Sequence, residues 1–123
     1  INSVSDESNH WVAPDQSYLL FLSNRPGGIG ENDLYISFRE GDGDGWSTPR
    51  NLGAPINRPG ASGVFTPCVS ADGRTLYFAE RRSAQEPLPD RPLATEEVEA
   101  YLRGPGNGQG DLYAWPWDVA KYR

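Results

Sequence analysis

Two stretches of this chain repeat one another at a constant spacing, and that self-similarity limits the fold more than any other feature. Residues 15–25 read DQSYLLFLSNR and residues 72–82 read DGRTLYFAERR. Asp15, Leu19, Phe21 and Arg25 thus return at Asp72, Leu76, Phe78 and Arg82, an offset of 72 − 15 = 57 residues. ENDLYISF at 31–38 then returns as QGDLYAWP at 109–116, and Ile1-Asn2 as Ile56-Asn57. A period of tens of residues marks an array whose single unit cannot bury its own apolar face. Two units are too few to close such an array, so further units or further copies are expected.

Composition excludes several classes. With 123 residues and 37% apolar content, the chain can build one modest core, and no apolar run approaches the roughly 18 residues that suggest a membrane span. The formal charge is −6 and the pI about 4.6. Without a Lys/Arg cluster to neutralise phosphates, nucleic acid is not an expected partner. Cys68 is the one cysteine, which excludes an internal disulfide, and its neighbours Phe65 and Val69 predict a buried, inert thiol. Methionine is absent, so Ile1 is read as the start of a processed or trimmed piece of something longer, and a signal segment would lie upstream.

Strand-length segments alternate with turn signals. Asn9–Ala13 is short and mixed, and Tyr18–Ser23 is rich in aromatic residues and leucine. Asp33–Arg39 alternates Leu34, Ile36 and Phe38 against Tyr35 and Ser37, the period of a two-faced strand. Trp46–Leu52 is a fourth strand, placed at a sheet edge by Pro49. Val64–Val69, Thr75–Glu80 and Asp111–Trp115 repeat the first three, and the six residues after Trp117 barely suffice for a fourth. Residues 83–109 are an insertion carrying a short helix near 95–103. Thr95 is its expected cap, Glu96 and Glu97 suit the positive end of the dipole, Arg103 suits the negative end, and Gly104 terminates it. The predicted class is all-β, built of antiparallel four-stranded units at 1–55 and 56–123. Isolated, the two units are expected to expose Leu34, Ile36, Phe38, Leu76 and Phe78 and not to persist as a monomer.

The pattern IN…PDxxxLxFxSNRPGGxGxxDLYxSxR…GWSxPxNLGxPIN closely resembles the WD-repeat-like β-propeller repeat of bacterial envelope proteins, the family that includes the propeller of the periplasmic Tol translocation component. The resemblance covers nearly all the chain outside the insertion and is most specific at Ser23–Arg39 and Gly45–Asn57. The second unit departs from it, with Glu80-Arg81-Arg82-Ser83 in place of Ser-Asn-Arg-Pro and no Gly-Trp-Ser-x-Pro strand. It implies about two blades of a larger propeller, with the last strand supplied from elsewhere, in a periplasmic or secreted protein. It also implies that Arg25 with Asp33, and Arg82 with Asp111, tie the second and third strands of each blade together. Partners would be the remaining blades or further copies of the chain.

Motifs of chemistry are sparse. Asp15 and Asp72 precede strands, where an Asp side chain bonds backbone two residues on. Asp42 and Asp44 in GDGDG resemble the start of a calcium loop but lack its third ligand and closing glutamate. The glycine-rich run 104–110 lacks the following Lys-Ser/Thr of a phosphate cradle. His10 is the single histidine, which excludes a multi-histidine zinc site. Glu7, Asn9, His10 and Trp11 combine ionisable, polar and aromatic groups at the innermost strand, which lines the axial channel in propellers, and are the candidate recognition residues. Three functional readings follow: an envelope module binding a protein, peptide or glycan; part of a propeller hydrolase or lyase acting on carbohydrate; and a two-unit subunit that assembles into a ring.

Overall fold

The computed structural model describes residues 1–59, 63–83, 91–104 and 107–123, with side chains described at all of these except 82, 83, 101 and 107–109. Residues 84–90 of the insertion, with Pro87 and Pro89, and residues 105 and 106 of the glycine-rich run lie outside the described residues. Two antiparallel sheets account for most of the rest, so the all-β class holds. In the first, β1 (Glu7–Val12), β2 (Tyr18–Ser23) and β3 (Asp33–Glu40) are neighbours in that order. Two short strands, β4 (Gly45–Trp46) and β5 (Arg50–Asn51), both pair with β3. The expected fourth strand is therefore split. Pro49 has no N–H to donate to a ladder, and the edge breaks just before β5. The second sheet orders β6 (Val64–Val69), β7 (Thr75–Ser83) and β8 (Asn107–Pro116), followed by a 3₁₀ turn at Val119–Tyr122 instead of a fourth strand.

Backbone detail repeats as faithfully as sequence. β1 bulges between Ser8 and Trp11 and β6 between Phe65 and Cys68, with positive φ at Asn9 (46°) and Thr66 (48°), again 57 apart. A left-handed conformation is tolerable for Asn but costs a β-branched Thr on the order of 1–3 kcal/mol, so the surrounding ladder must hold it. Ser17 N–H donates to Asp15 Oδ1 and Arg74 N–H to Asp72 Oδ1, both at 3.0 Å, as expected. The next turn residue also has positive φ in both copies, Gln16 at 59° and Gly73 at 71°. A stacked ring pair recurs too: Phe21 with Tyr35 at 6.0 Å and Phe78 with Tyr113 at 5.7 Å.

Strand period 2 gives each sheet two faces. Face A of the first sheet carries Trp11, Tyr18, Leu20, Leu22, Leu34, Ile36 and Phe38, and its face B carries Val12, Leu19, Phe21 and Tyr35. The equivalents in the second sheet are Cys68, Tyr77, Ala79, Leu112 and Ala114 on face A, and Val69, Leu76, Phe78 and Tyr113 on face B. The main core joins face A of the first sheet to face B of the second: Leu20, Leu34, Ile36, Ile56, Val64, Leu76 and Phe78 share one cluster. Leu34, Ile36, Phe38, Leu76 and Phe78 are thus all buried, contrary to the expectation of exposure, because the two sheets cover one another front to back. Cys68 is exposed, also contrary to expectation: it lies opposite Tyr77 on the uncovered face A of the second sheet.

α1 (Thr95–Arg103) has the expected bounds but a different cap. Ala94 takes the cap position with no side-chain bond, and Glu97 Oε2 accepts the Ala94 N–H at 2.9 Å while Arg91 holds the same carboxylate. The chain end folds back on the first sheet, where buried Trp117 donates from Nε1 to the Tyr18 hydroxyl at 3.2 Å.

Asn57 joins the two copies. Its side chain accepts from Leu34 N–H (2.8 Å) and donates to Leu34 C=O (2.9 Å) and Asn51 Oδ1 (2.7 Å), all with Asn57 only 1% exposed. Asn57→Ala removes the side-chain acceptor of the buried Leu34 N–H, at about 1–3 kcal/mol, whereas the Leu34 C=O keeps the Leu52 N–H, so the bonds lost there and at Asn51 add about 0.5–1.5 kcal/mol. The expected loss of stability is about 2–4 kcal/mol, read from the urea unfolding midpoint at unchanged slope.

Candidate functional site

The bulge in β1 separates the four candidate residues. Asn9 and His10 together stand opposite the single residue Phe21, a bulge of one extra residue, so Trp11 turns to face A and rests on Tyr18 with ring centroids 5.7 Å apart. Asn9 is exposed at the apex. Glu7 and His10, with Val12, border a cleft of about 230 Å³ on face B of the first sheet. Leu19, Phe21 and Ile1 supply its apolar wall, and Asn2 and Ser8 complete it. The structure thus brings Glu7 and His10 together and sends Trp11 to a different cleft, of about 420 Å³, between the sheets beside Asp15, Ser70 and Arg123.

Glu7 is held rather than free. Arg25 Nη2 donates to Glu7 Oε1 at 3.1 Å and to Ile1 C=O at 3.1 Å, and Ser3 binds the same carboxylate through its hydroxyl and its N–H. These Ser3 bonds first, and then the Arg25 charge, hold the Glu7 carboxyl below its usual range. The Arg25 guanidinium lies over Phe21 (5.1 Å) and Tyr35 (4.9 Å), closing one end of face B by charge–ring contact.

Arg25 and Asp33 both secure the β2–β3 turn, but through separate partners and not through one another. Asp33, 2% exposed, accepts from the Ile29 and Gly30 N–H groups and, at 2.8 Å, from Asn51 Nδ2. A Cβ at Gly28 would fall 2.6 Å from Asp33 Oδ2, so the close approach requires glycine there. Asp111 stands opposite Glu80 in the β7–β8 ladder, and the Arg82 side chain lies outside the described residues. Asp44 pairs with Arg39 at 3.5 Å. Among the described residues no group of three His, Cys, Asp or Glu is placed to hold a metal ion, and no helix is long and apolar enough to cross a membrane.

Sequence reading missed Ile1, Val12, Leu19 and Phe21 as site residues. A usable signal existed, since each matches a core position of the second unit: Ile56, Val69, Leu76 and Phe78. No family model, curated protein or solved structure matches this chain.

Four carboxylates share a depressed affinity for protons: Glu7 through Ser3, Asp15 through Ser17, Asp72 through Ser70 and Glu97 through Arg91. A carboxyl that is more acidic folded than unfolded stabilises the fold above its unfolded pKa, and that contribution is lost as pH falls through the folded value. Stability should therefore decline as pH drops from the ordinary carboxyl values of 4.5 for Glu and 3.8 for Asp. Thermal melts of Glu7→Gln over the same range should fall less steeply than those of the parent. Parallel curves would show that Glu7 carries no share of the acid sensitivity.

Proposed function

We propose that this chain is a binding module built from propeller-type repeats of the bacterial envelope, taking a protein or peptide segment at the Glu7–His10 cleft. The observation that carries this reading is the composition of the cleft. Its floor is aliphatic and aromatic, its volume suits one or two apolar side chains, and a single imidazole and a restrained carboxylate edge it. Small-molecule and peptide sites share this plan of apolar walls with a few oriented polar groups.

A peptide fits better than a glycan. Sugars bind through aromatic faces, yet the Phe21 face is taken by Arg25 and Trp11 packs toward the core. An apolar side chain entering the cleft against Ile1 and the 42% exposed Val12 gains part of the roughly 1.5–3 kcal/mol that full burial is worth. A backbone group beside it could bond His10. The family resemblance supplies the envelope location and the larger propeller.

Calorimetric titration of an immobilisation-free peptide library against the chain tests the reading. Peptides with a bulky aliphatic residue should bind saturably, and Val12→Asp should weaken them about tenfold or more, equivalent to 1.4 kcal/mol. Binding confined to oligosaccharides, or peptide binding indifferent to Val12→Asp, would contradict it.

A further inference from the structure

The two copies leave unlike surfaces open. Within the chain, face A of the first sheet is covered by face B of the second, and Leu34 at 0% exposure sits in the same cluster as Ile56, Leu76 and Phe78, with Val69 packed against it. Each wall of that seat has a counterpart in the first unit: Ile1 for Ile56, Val12 for Val69, Leu19 for Leu76 and Phe21 for Phe78. These four are the apolar lining of the 230 Å³ cleft. The cleft is therefore the first unit's copy of a seat that is filled in the second.

The residue that fills the inner seat also has a counterpart. Leu34 follows Asp33 in β3 as Leu112 follows Asp111 in β8, and Leu112 is 84% exposed. It stands opposite Ala79 and two residues from Ala114 on face A of the second sheet, so small neighbours leave it projecting. Tyr77, on the same face, is 43% exposed. One chain thus carries at one end a cleft whose Leu19 and Phe21 walls are covered but whose Val12 rim is 42% exposed, and at the other a projecting leucine, the knob.

Resting on the reading of the cleft as a recognition site, we infer that its partner is a second copy of this chain, whose Leu112 enters the cleft between Val12, Leu19, Phe21 and Ile1. The contact repeats between chains the packing that Leu34 makes within one. Because knob and seat are different surfaces, the association is head to tail, giving a ring if the rotation closes and a filament if it does not. No symmetric pair of chains satisfies both surfaces.

Sedimentation velocity of the full chain against concentration is the first measurement, and species larger than a monomer should grow with concentration. Leu112→Asp and Val12→Asp alter exposed positions, so each variant should keep the parent circular dichroism and the melting temperature of the dilute parent while becoming monomeric. An equal mixture of the two retains one intact knob and one intact seat, and should form a one-to-one dimer that grows no further. Cys68, exposed on the docking face, gives an independent readout: thiol alkylation should be several-fold slower in the parent than in Leu112→Asp at equal concentration. A parent that stays monomeric up to its solubility limit overturns the inference, as does a mixture that stays monomeric. If peptides bind the cleft while the parent is monomeric, the recognition reading stands and the second copy is excluded as occupant. If the parent assembles but Val12→Asp leaves assembly intact, the contact lies elsewhere and the inference fails.

Discussion

The amide side chain of Asn57 is the contact on which the arrangement of the whole molecule depends. It binds Leu34 as a neighbouring strand would, one donor and one acceptor, and a third bond reaches Asn51. The segment from Leu52 to Asn57 is thereby pinned along β3, and Leu52 N–H adds a further bond to Leu34 C=O at 3.0 Å. Ile56 must then enter the core, and the next strand begins close to β1 and β2. Apolar burial of Leu34, Ile36, Leu76 and Phe78, about 1.5–3 kcal/mol each, outweighs any single polar contact. That burial has no direction, however, whereas the amide fixes the path of the chain along β3 and the point at which Ile56 enters the core.

Ion pairs play a lesser part. Arg25–Glu7 is the best shielded, with both side chains less than one-fifth exposed, and it is bound up with ring stacking that would hold Arg25 in place anyway. Arg91–Glu97 is more open and only orders the start of the helix. Solvent screening leaves such pairs too weak to choose a topology.

Much of this was legible in the chain. The Val64–Val69 strand, the Thr95–Arg103 helix and the Asp15 and Asp72 turns follow from local rules, and the structure places them at the expected residues. What was not legible depends on contacts distant in sequence. The bulge at Asn9 and Thr66 has no glycine to announce it, and it decides that His10 faces the cleft while Trp11 faces the core. Arg25 and Asp33 are spaced like a pair, yet the turn backbone competes for Asp33 and Ser3 and Ile1 bring Glu7 within reach of Arg25. Cys68 reads as buried from its neighbours in sequence, but its exposure depends on what lies over the face it shares with Tyr77.

The central claim is that two copies of one unit stack front to back, face A of the first on face B of the second. Methyl-directed NOE spectroscopy on the folded chain tests it most directly. The account predicts cross-peaks from the Leu20, Leu22 and Leu34 methyls to the Leu76 methyls and the Phe78 ring, with none from the Leu112 methyls to those groups within a monomer. Strand-to-strand NOEs inside each sheet without those cross-peaks, or Leu112 in the place assigned to Leu34, would contradict it.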